Sequence, residues 1–361
     1  MLTALCRMVP QLANEQATAD TERNETMKVA LIVPPDTPVT GGNFVSAERL
    51  KTGLANLGIE TQVEKFHPQI QEYDVYHAWN AVQVGMRLIE HAIDPKKIVV
   101  TWTGTDLWGD WVRDPDPIRR ALSPLGHQVV FTPNAKKRLV SDAPEWDPIV
   151  EVIGPSVDEN LFYPADSPDV REWPPLVVIA GGIRPVKRSA WAIELVEEAR
   201  NRLGYDFQLA VLGPVRDYEE WERVLLAAKG KPWVHLIGEQ PKESMREWYQ
   251  KATVVLNSSR IEGVSNALME AMASQALVVA TNIHGNRYLV ENGKTGFLFD
   301  DTEGLIQAFR LVMENPNQTE MMRYNARMRI FSRHLPSHEA QAYAAIYRQM
   351  SWSLCSRGCE L

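Results

Sequence analysis

Two carboxylates stand at a chemically useful spacing in the segment Asn257–Ala273. Glu262 sits beside Gly263 in a predicted loop after a buried strand, and Glu270 follows with seven residues between them, two turns into a helix. Gly263 lets a backbone approach a ligand, and the first free N–H groups of the helix then point at it, an arrangement that favours an anion. One carboxylate meets a group near the helix start while the other meets one deeper along it. Carboxylates pair well with vicinal hydroxyls, so a phosphate flanked by two polyols fits, as in a nucleotide sugar. A surface helix with two solvated glutamates has the same spacing, and spacing alone leaves both readings open.

The second constellation is Ala180-Gly-Gly-Ile-Arg-Pro-Val-Lys-Arg188, directly after the apolar run Leu176–Ala180. Gly181 and Gly182 open the loop, and Arg184, Lys187 and Arg188 place three cations at the start of the next predicted helix. Cations there oppose the helix dipole, which makes sense if they meet a diphosphate. A dinucleotide fingerprint is absent, because Gly181-Gly182 lacks the remaining glycine spacing.

The first half of the chain is less explicit. Gly41 and Gly42 lie in the loop Pro34–Asn43 after the first strand, where glycines permit close approach to a phosphate or acceptor, or simply flexibility. Asp106 follows the strand Ile98–Thr103 and is a candidate for acceptor contact or proton acceptance, with helix capping as the alternative. His77 and Thr103, at strand ends, complete the acceptor-side candidates; a lone histidine there is more often structural. Trp79, Trp102, Trp108 and Trp111 suit sugars or apolar acceptors, or packing. Asp114-Pro-Asp116 is expected to be a turn rather than a metal motif, and no metal site is expected.

Such residues must be positioned by strand-to-helix loops. From Met27 onward short β-branched runs alternate with helical patterns, the signature of parallel α/β architecture. Strands are expected at Val29–Val33, Glu60–Glu64, Asp74–Ala78, Ile98–Thr103, Gln128–Thr132 and Val150–Ile153. After the proline-rich stretch Tyr163–Pro175 a second series starts, with helices predicted at Val186–Leu203 and Val264–Ser274 among others. Two doubly wound, Rossmann-like α/β domains facing a cleft follow. The expected division is a flexible extension over 1–26, an acceptor-side domain over 27–165, a nucleotide-sugar-binding domain over 175–335, and a C-terminal helix and tail over 336–361. That helix is expected to pack back on the first domain.

Composition bounds the partners. A chain of 361 residues, 45% hydrophobic and 23% charged, has room for two globular domains. A net charge of −8 argues against nucleic acid as the main partner. Cysteines occur only at Cys6, Cys355 and Cys359, which points to a reducing compartment. Cys355 and Cys359 lack further ligands for zinc, so a frayed tail is expected. Met1–Thr26 resembles no secretory signal and no run approaches 18 apolar residues, so a cytoplasmic protein without a transmembrane segment is expected.

The Glu262/Glu270 block resembles the E-x7-E signature of retaining glycosyltransferases with two Rossmann-like domains, the GT-B fold, in the large family 4 (glycosyl transferases group 1). The resemblance implies that Glu262 contacts sugar hydroxyls and Glu270 the nucleotide ribose. Glu262-Gly-Val-Ser265 stands where the family has Glu-Gly-Phe-Gly. The loop at Gly181 is similar to the family's G-R-L-x-x-x-K loop, with Lys187 on the lysine position and Gly182 where the arginine usually stands, its work falling to Arg184. Ile153–Pro164 resembles the segment preceding the interdomain linker. Ile283-His-Gly-Asn286 and Glu291–Leu298 resemble the stretch after the E-x7-E helix, where Gly285 and Asn286 approach the donor or form a tight turn. Thr103 occupies the place of the family's usual histidine. The likeness runs from about Lys28 to Met350 and is stronger in the second half.

It implies a metal-independent, retaining transfer of a hexose or N-acetylhexosamine from a nucleotide sugar, UDP favoured, to a small-molecule or glycan acceptor. Catalytic candidates are Glu262, Lys187, Arg184 and Asp106, with Gly181, Gly182, Gly263, Val264, Ser265 and Glu270 binding donor. No cofactor is implied beyond the nucleotide sugar as co-substrate. Thr103–Leu107 and Gly182–Lys187 also look like a branch that includes selenosugar synthases and the animal proteins called glycosyltransferase one-domain-containing. A nucleotide-sugar epimerase or hydrolase, or a non-catalytic nucleotide-sugar-binding protein, are the alternatives.

Overall fold

Runs such as Leu176-Val-Val-Ile-Ala180 and Val254-Val-Leu-Asn257 are apolar on both faces, as strands buried between two helical layers must be. The computed structural model of the chain describes residues 27–167 and 174–355, with the side chains of 352–355 left aside. Expectations for residues 1–26, for the thiols of Cys6, Cys355 and Cys359, and for the centre of the proline-rich linker lie outside the described residues and side chains.

Two parallel six-stranded sheets result. In the first, β1 (Lys28–Val33), β2 (Glu60–Lys65), β3 (Val75–Trp79), β4 (Ile98–Trp102), β5 (His127–Val130) and β6 (Val150–Val152) take the order β2-β1-β3-β4-β5-β6. In the second, β7 (Leu176–Ala180), β8 (Gln208–Leu212), β9 (Val234–Gly238), β10 (Val254–Asn257), β11 (Val278–Thr281) and β12 (Phe297–Phe299) take the order β12-β11-β10-β7-β8-β9. Each sheet has apolar clusters on both faces. In the second sheet the strand order reverses between β7 and β10, and open α/β sheets bind ligands outside the carboxyl ends of strands at such a reversal. The loops carrying Lys187 and Glu262 leave those two strands.

Helix α1 (Gly42–Ala55) follows β1, and a π-turn over Ala81–Gly85 leads into α2 (Met86–Glu90) after β3. Asn80, at φ 109°, caps that turn by accepting from the N–H groups of Val82 and Gln83. The expected turn at Asp114–Asp116 is the start of α3 (Pro115–Leu122), with proline in the first turn, where its missing N–H costs nothing. Helix α4 (Pro133–Asp142) follows β5.

In the second domain the single helix expected over Val186–Leu203 is split. A 3-10 turn over Pro185–Lys187 ends at Arg188, left-handed at φ 52°, and α5 (Ser189–Leu203) begins beyond it. Arg188 turns inward, donating to the carbonyls of Ser258 and Ser259 and covering the Trp191 ring at 4.0 Å. Helices α6 (Tyr218–Ala228), α7 (Lys242–Lys251), α8 (Asn266–Ala273), α9 (His284–Leu289), α10 (Thr302–Glu314) and α11 (Pro316–Arg333) complete that domain. Helix α8 starts two residues later than expected, because the Ser265 side chain is its N-cap.

Helix α12 (Pro336–Cys355) then returns to the first domain and packs on α1. Its Tyr343 and Tyr347 enter the core beneath β3 and β4. Where the chain crosses between domains, the two passages are tied together. Val157 N–H donates to the His334 carbonyl at 2.9 Å, and Glu339 accepts from the Ser156 N–H at 3.1 Å and hydroxyl at 2.5 Å.

Candidate functional site

The β7 and β10 loops meet through one ion pair. Lys187 Nζ lies 2.5 Å from Glu262 Oε1, with side chains only 16% and 10% exposed. The same oxygen accepts from Ser259 Oγ at 2.7 Å and Asn257 Nδ2 at 3.3 Å. Burial pushes this carboxyl up, but the Lys187 charge and the bonds from Lys187, Ser259 and Asn257 outweigh it and hold Glu262 below the ordinary carboxylate value. Glu262 Oε2 makes no hydrogen bond among the described residues. The arrangement presents an ionised carboxylate with one oxygen locked and the other available as an acceptor for a hydroxyl.

Arg184 is exposed on the same loop. Arg188, read from the sequence as a third cation for a diphosphate, is corrected: its guanidinium binds backbone carbonyls and an indole face. A cation that sequence reasoning missed takes a neighbouring place. The β8 loop pairs with the β7 loop, Arg216 N–H donating to the Ile183 carbonyl at 3.0 Å, and the Arg216 side chain lies over Gly182 so closely that a Cβ there would meet it at 2.9 Å. A position just beyond a strand's carboxyl end is the signal that could have found it.

Glu270 lies on α8, half-buried, and accepts from the Tyr249 hydroxyl at 3.0 Å. Burial raises its carboxyl, partly countered by that bond and by Lys242 and Arg49. Val264 packs against the apolar cores, and the Ser265 hydroxyl accepts from Leu268 N–H and Asn257 Nδ2. The Ser265 side chain therefore caps α8 and faces inward, which corrects its expected donor contact.

The first domain closes over these loops at three places. Asn266, in the first turn of α8, donates to the Gly42 carbonyl at 3.5 Å and Ser46 Oγ at 3.3 Å, which sets the Gly41-Gly42 entry of α1 opposite the start of α8. Arg216 donates to Thr40 Oγ1 at 2.7 Å. Thr103-Gly104 presses on Gly263 backbone to backbone: a Cβ on Gly104 would come 2.5 Å from Gly263 N, and one on Gly263 2.3 Å from the Thr103 carbonyl oxygen. Only glycine fits on either side. Nearby, the Trp108 ring stacks on His284 at 4.6 Å, and Asn134 Nδ2 donates to His284 Nδ1 at 2.6 Å.

Two acceptor-side candidates are corrected. Asp106 is fully buried and accepts from the backbone N–H groups of Ala81, Thr103, Gly104 and Leu107. Burial raises its carboxyl against the pull of those bonds. With its lone pairs engaged by backbone donors, it holds the Thr103-Gly104 loop in shape and does not face the cleft. His77 is also fully buried, its ring nitrogens 2.7 Å from the Tyr347 hydroxyl and 2.7 Å from Thr101 Oγ1. It ties the sheet to α12. Of the tryptophans, Trp79, Trp102 and Trp111 are core residues, and Trp108 alone of the four reaches the other domain.

Comparison with known proteins agrees with this layout. Residues 174–315 match the family model described as glycosyl transferases group 1. That match lies within the second domain. The chain is 28% identical over 174 residues to glycosyltransferase 1 domain-containing protein 1 of Xenopus tropicalis, a match covering 47% of this chain and 49% of that protein. It is 25% identical over 288 residues to the alpha-maltose-1-phosphate synthase of Mycolicibacterium smegmatis, covering 73% of each. The chain thus spans about half the length of the first relative and nearly three quarters of the second. Among solved structures, Anabaena HepE in complex with UDP and glucose superposes with a TM-score of 0.72 at 15% identity, covering 90% of this chain and all of that one. The sucrose-phosphate synthase of Thermosynechococcus elongatus superposes with a TM-score of 0.72 at 16% identity, covering 91% of this chain and all of that one. The fold is the GT-B fold, and the matched segment carries Lys187 and both glutamates.

Proposed function

We propose that the chain is a glycosyltransferase that moves a hexose or N-acetylhexosamine from a nucleotide sugar to a small-molecule or glycan acceptor. The carrying observation is the Lys187–Glu262 pair at the strand-order reversal, its second carboxylate oxygen unengaged and the start of α8 beside it. In this reading the diphosphate lies among Lys187, Arg184, Arg216 and the free N–H groups of α8. Fixed cations and a helix N-terminus meet the charge that develops on the leaving phosphate as the glycosidic bond breaks. Glu262 Oε2 accepts from the sugar hydroxyls, and Glu270 from the ribose. The contacts at Gly104–Gly263 and Trp108–His284 exclude water that would hydrolyse the donor. The fold neighbour HepE is seen with UDP-glucose, which makes UDP the first nucleotide to try. Retention at the anomeric carbon follows the family resemblance.

The test is thermal unfolding with a panel of UDP-, GDP- and ADP-sugars, followed by mass spectrometry of products with an acceptor set that includes selenophosphate. A donor at a hundred times its Kd stabilises by about 2.7 kcal/mol, or about 5–10 °C in Tm. Glu270→Ala is expected to remove most of that shift. No shift with any nucleotide sugar would overturn the reading.

A further inference from the structure

We propose that Asn257 and Asn286 are positioning residues that fix the plane of the Glu262 carboxylate, with one oxygen locked and the other facing the cleft; the inference rests on the glycosyl-transfer reading and deepens it. Asn257 closes β10, and Asn286 lies in the first turn of α9, after the neighbouring strand β11. Asn286 is fully buried and donates through Nδ2 to the Thr281 carbonyl at 3.0 Å, to Thr281 Oγ1 at 3.2 Å and to Asn257 Oδ1 at 3.2 Å. The Thr281 hydroxyl gives its proton to the Ser259 carbonyl at 2.6 Å, so toward Asn286 it can only accept.

Asn257 Oδ1 also accepts from the Ser259 backbone N–H at 3.1 Å. A backbone N–H can only donate, so the Asn257 amide has a single orientation, oxygen toward Ser259 and Asn286 and NH2 toward Glu262 Oε1. That NH2 joins Lys187 and Ser259 as the third donor on one carboxylate oxygen. Rotating the carboxylate out of this plane would strip all of them at once. Oε2 is thereby held toward the cleft.

Asn286 keeps this geometry against its own stability. Its Oδ1 is buried and has no hydrogen-bond partner among the described residues. A buried orphan acceptor is unfavourable and marks a side chain retained for something else, here for its donor end. The chain of amides thus runs from a buried residue of α9 to the carboxylate at the cleft, and both asparagines act through Glu262.

Asn257→Asp tests this in the full chain, because aspartate has nearly the same shape but no donor, and sets carboxylate against carboxylate. With glutamates labelled by 13C at Cδ and the Glu262 signal assigned by its loss in Glu262→Gln, the Glu262 titration midpoint is expected to rise by about one pH unit or more. Asn286→Asp reaches Glu262 only through Asn257, and is expected to move the midpoint in the same direction by less. In transfer assays both variants are expected to lower kcat about tenfold to a hundredfold while the KM for nucleotide sugar changes little. An unmoved Glu262 midpoint in either folded variant overturns the proposal, whatever the assay shows. A shifted midpoint in a protein that transfers no sugar as wild type upholds the positioning and overturns the glycosyl-transfer reading instead.

Discussion

Lys187→Ala removes the cation from a carboxylate that cannot escape to solvent. Glu262 is 10% exposed and Lys187 16%, and their 2.5 Å contact is flanked by the weaker donors Ser259 and Asn257. Breaking a buried pair from one side costs about 3–5 kcal/mol. Here the two remaining donors and protonation of the carboxyl limit the loss, to about 2–4 kcal/mol at neutral pH. That corresponds to a fall of about 4–16 °C in the Tm of the second domain, read by scanning calorimetry. The double variant Lys187→Ala/Glu262→Gln leaves no orphan charge and is expected to recover about 2 kcal/mol of it. The pH dependence has a definite sign. Glu262 sits below its ordinary value of 4.5 in the folded protein, so its contribution is complete above about that pH and is lost as pH falls through the folded value. Without Lys187, burial raises the carboxyl, and the gap between wild type and variant must close as pH falls toward 4.5. A loss under about 0.5 kcal/mol with no coupling in the double-mutant cycle would refute the argument.

Three further outcomes are expected. Gly104→Ala puts a Cβ 2.5 Å from Gly263 N at a φ of +130°, so the domains must part. Small-angle scattering should report a larger radius of gyration and assays at least a tenfold loss of turnover, with nucleotide-induced stabilisation kept; an unchanged radius would show that the contact gives way locally. Asp106→Asn turns an NH2 toward backbone donors that the carboxylate now satisfies, and should cost about 2–4 kcal/mol in denaturant unfolding, where a neutral result contradicts its assigned role. His77, held by burial at a pKa of about 3, should show no imidazole titration between about pH 5 and 8 in NMR spectra. Because the unfolded chain takes up that proton near the ordinary imidazole value of 6.5 and the folded one does not, its contribution to stability declines as pH drops below 6.5.

The alternation of apolar runs and helical patterns made the two sheets legible, since parallel strands buried on both faces leave little choice of composition. Glu262 and Lys187 were legible for a related reason: loops beyond strand ends are where this architecture gathers ligand groups. What the sequence left open was side-chain direction. Asp106 follows β4 and His77 lies mid-strand in β3 rather than at its end, and one turns back onto four backbone donors while the other points into the sheet–helix layer. Arg188 looked equivalent to Lys187 until its left-handed backbone swung it toward the Ser258 and Ser259 carbonyls. Arg216 and Gly104 matter through partners in a neighbouring loop and in the other domain, and no local pattern encodes a contact of that range.

The return of α12 bears on the order of assembly during synthesis. Tyr343, Ile346, Tyr347 and Met350 belong to the core that covers one face of β1, β3 and β4, and the paired His77 and Thr101 side chains each find a further partner there, in Tyr347 and Tyr343. A ribosome therefore delivers all of the second domain's strands before the first domain can bury its own sheet. Domains that leave the ribosome first usually fold first. In this chain the early strands wait, with one apolar face only partly covered by α1, for residues made about three hundred positions later, and that interval is when a chaperone or a misplaced neighbour has most to grasp.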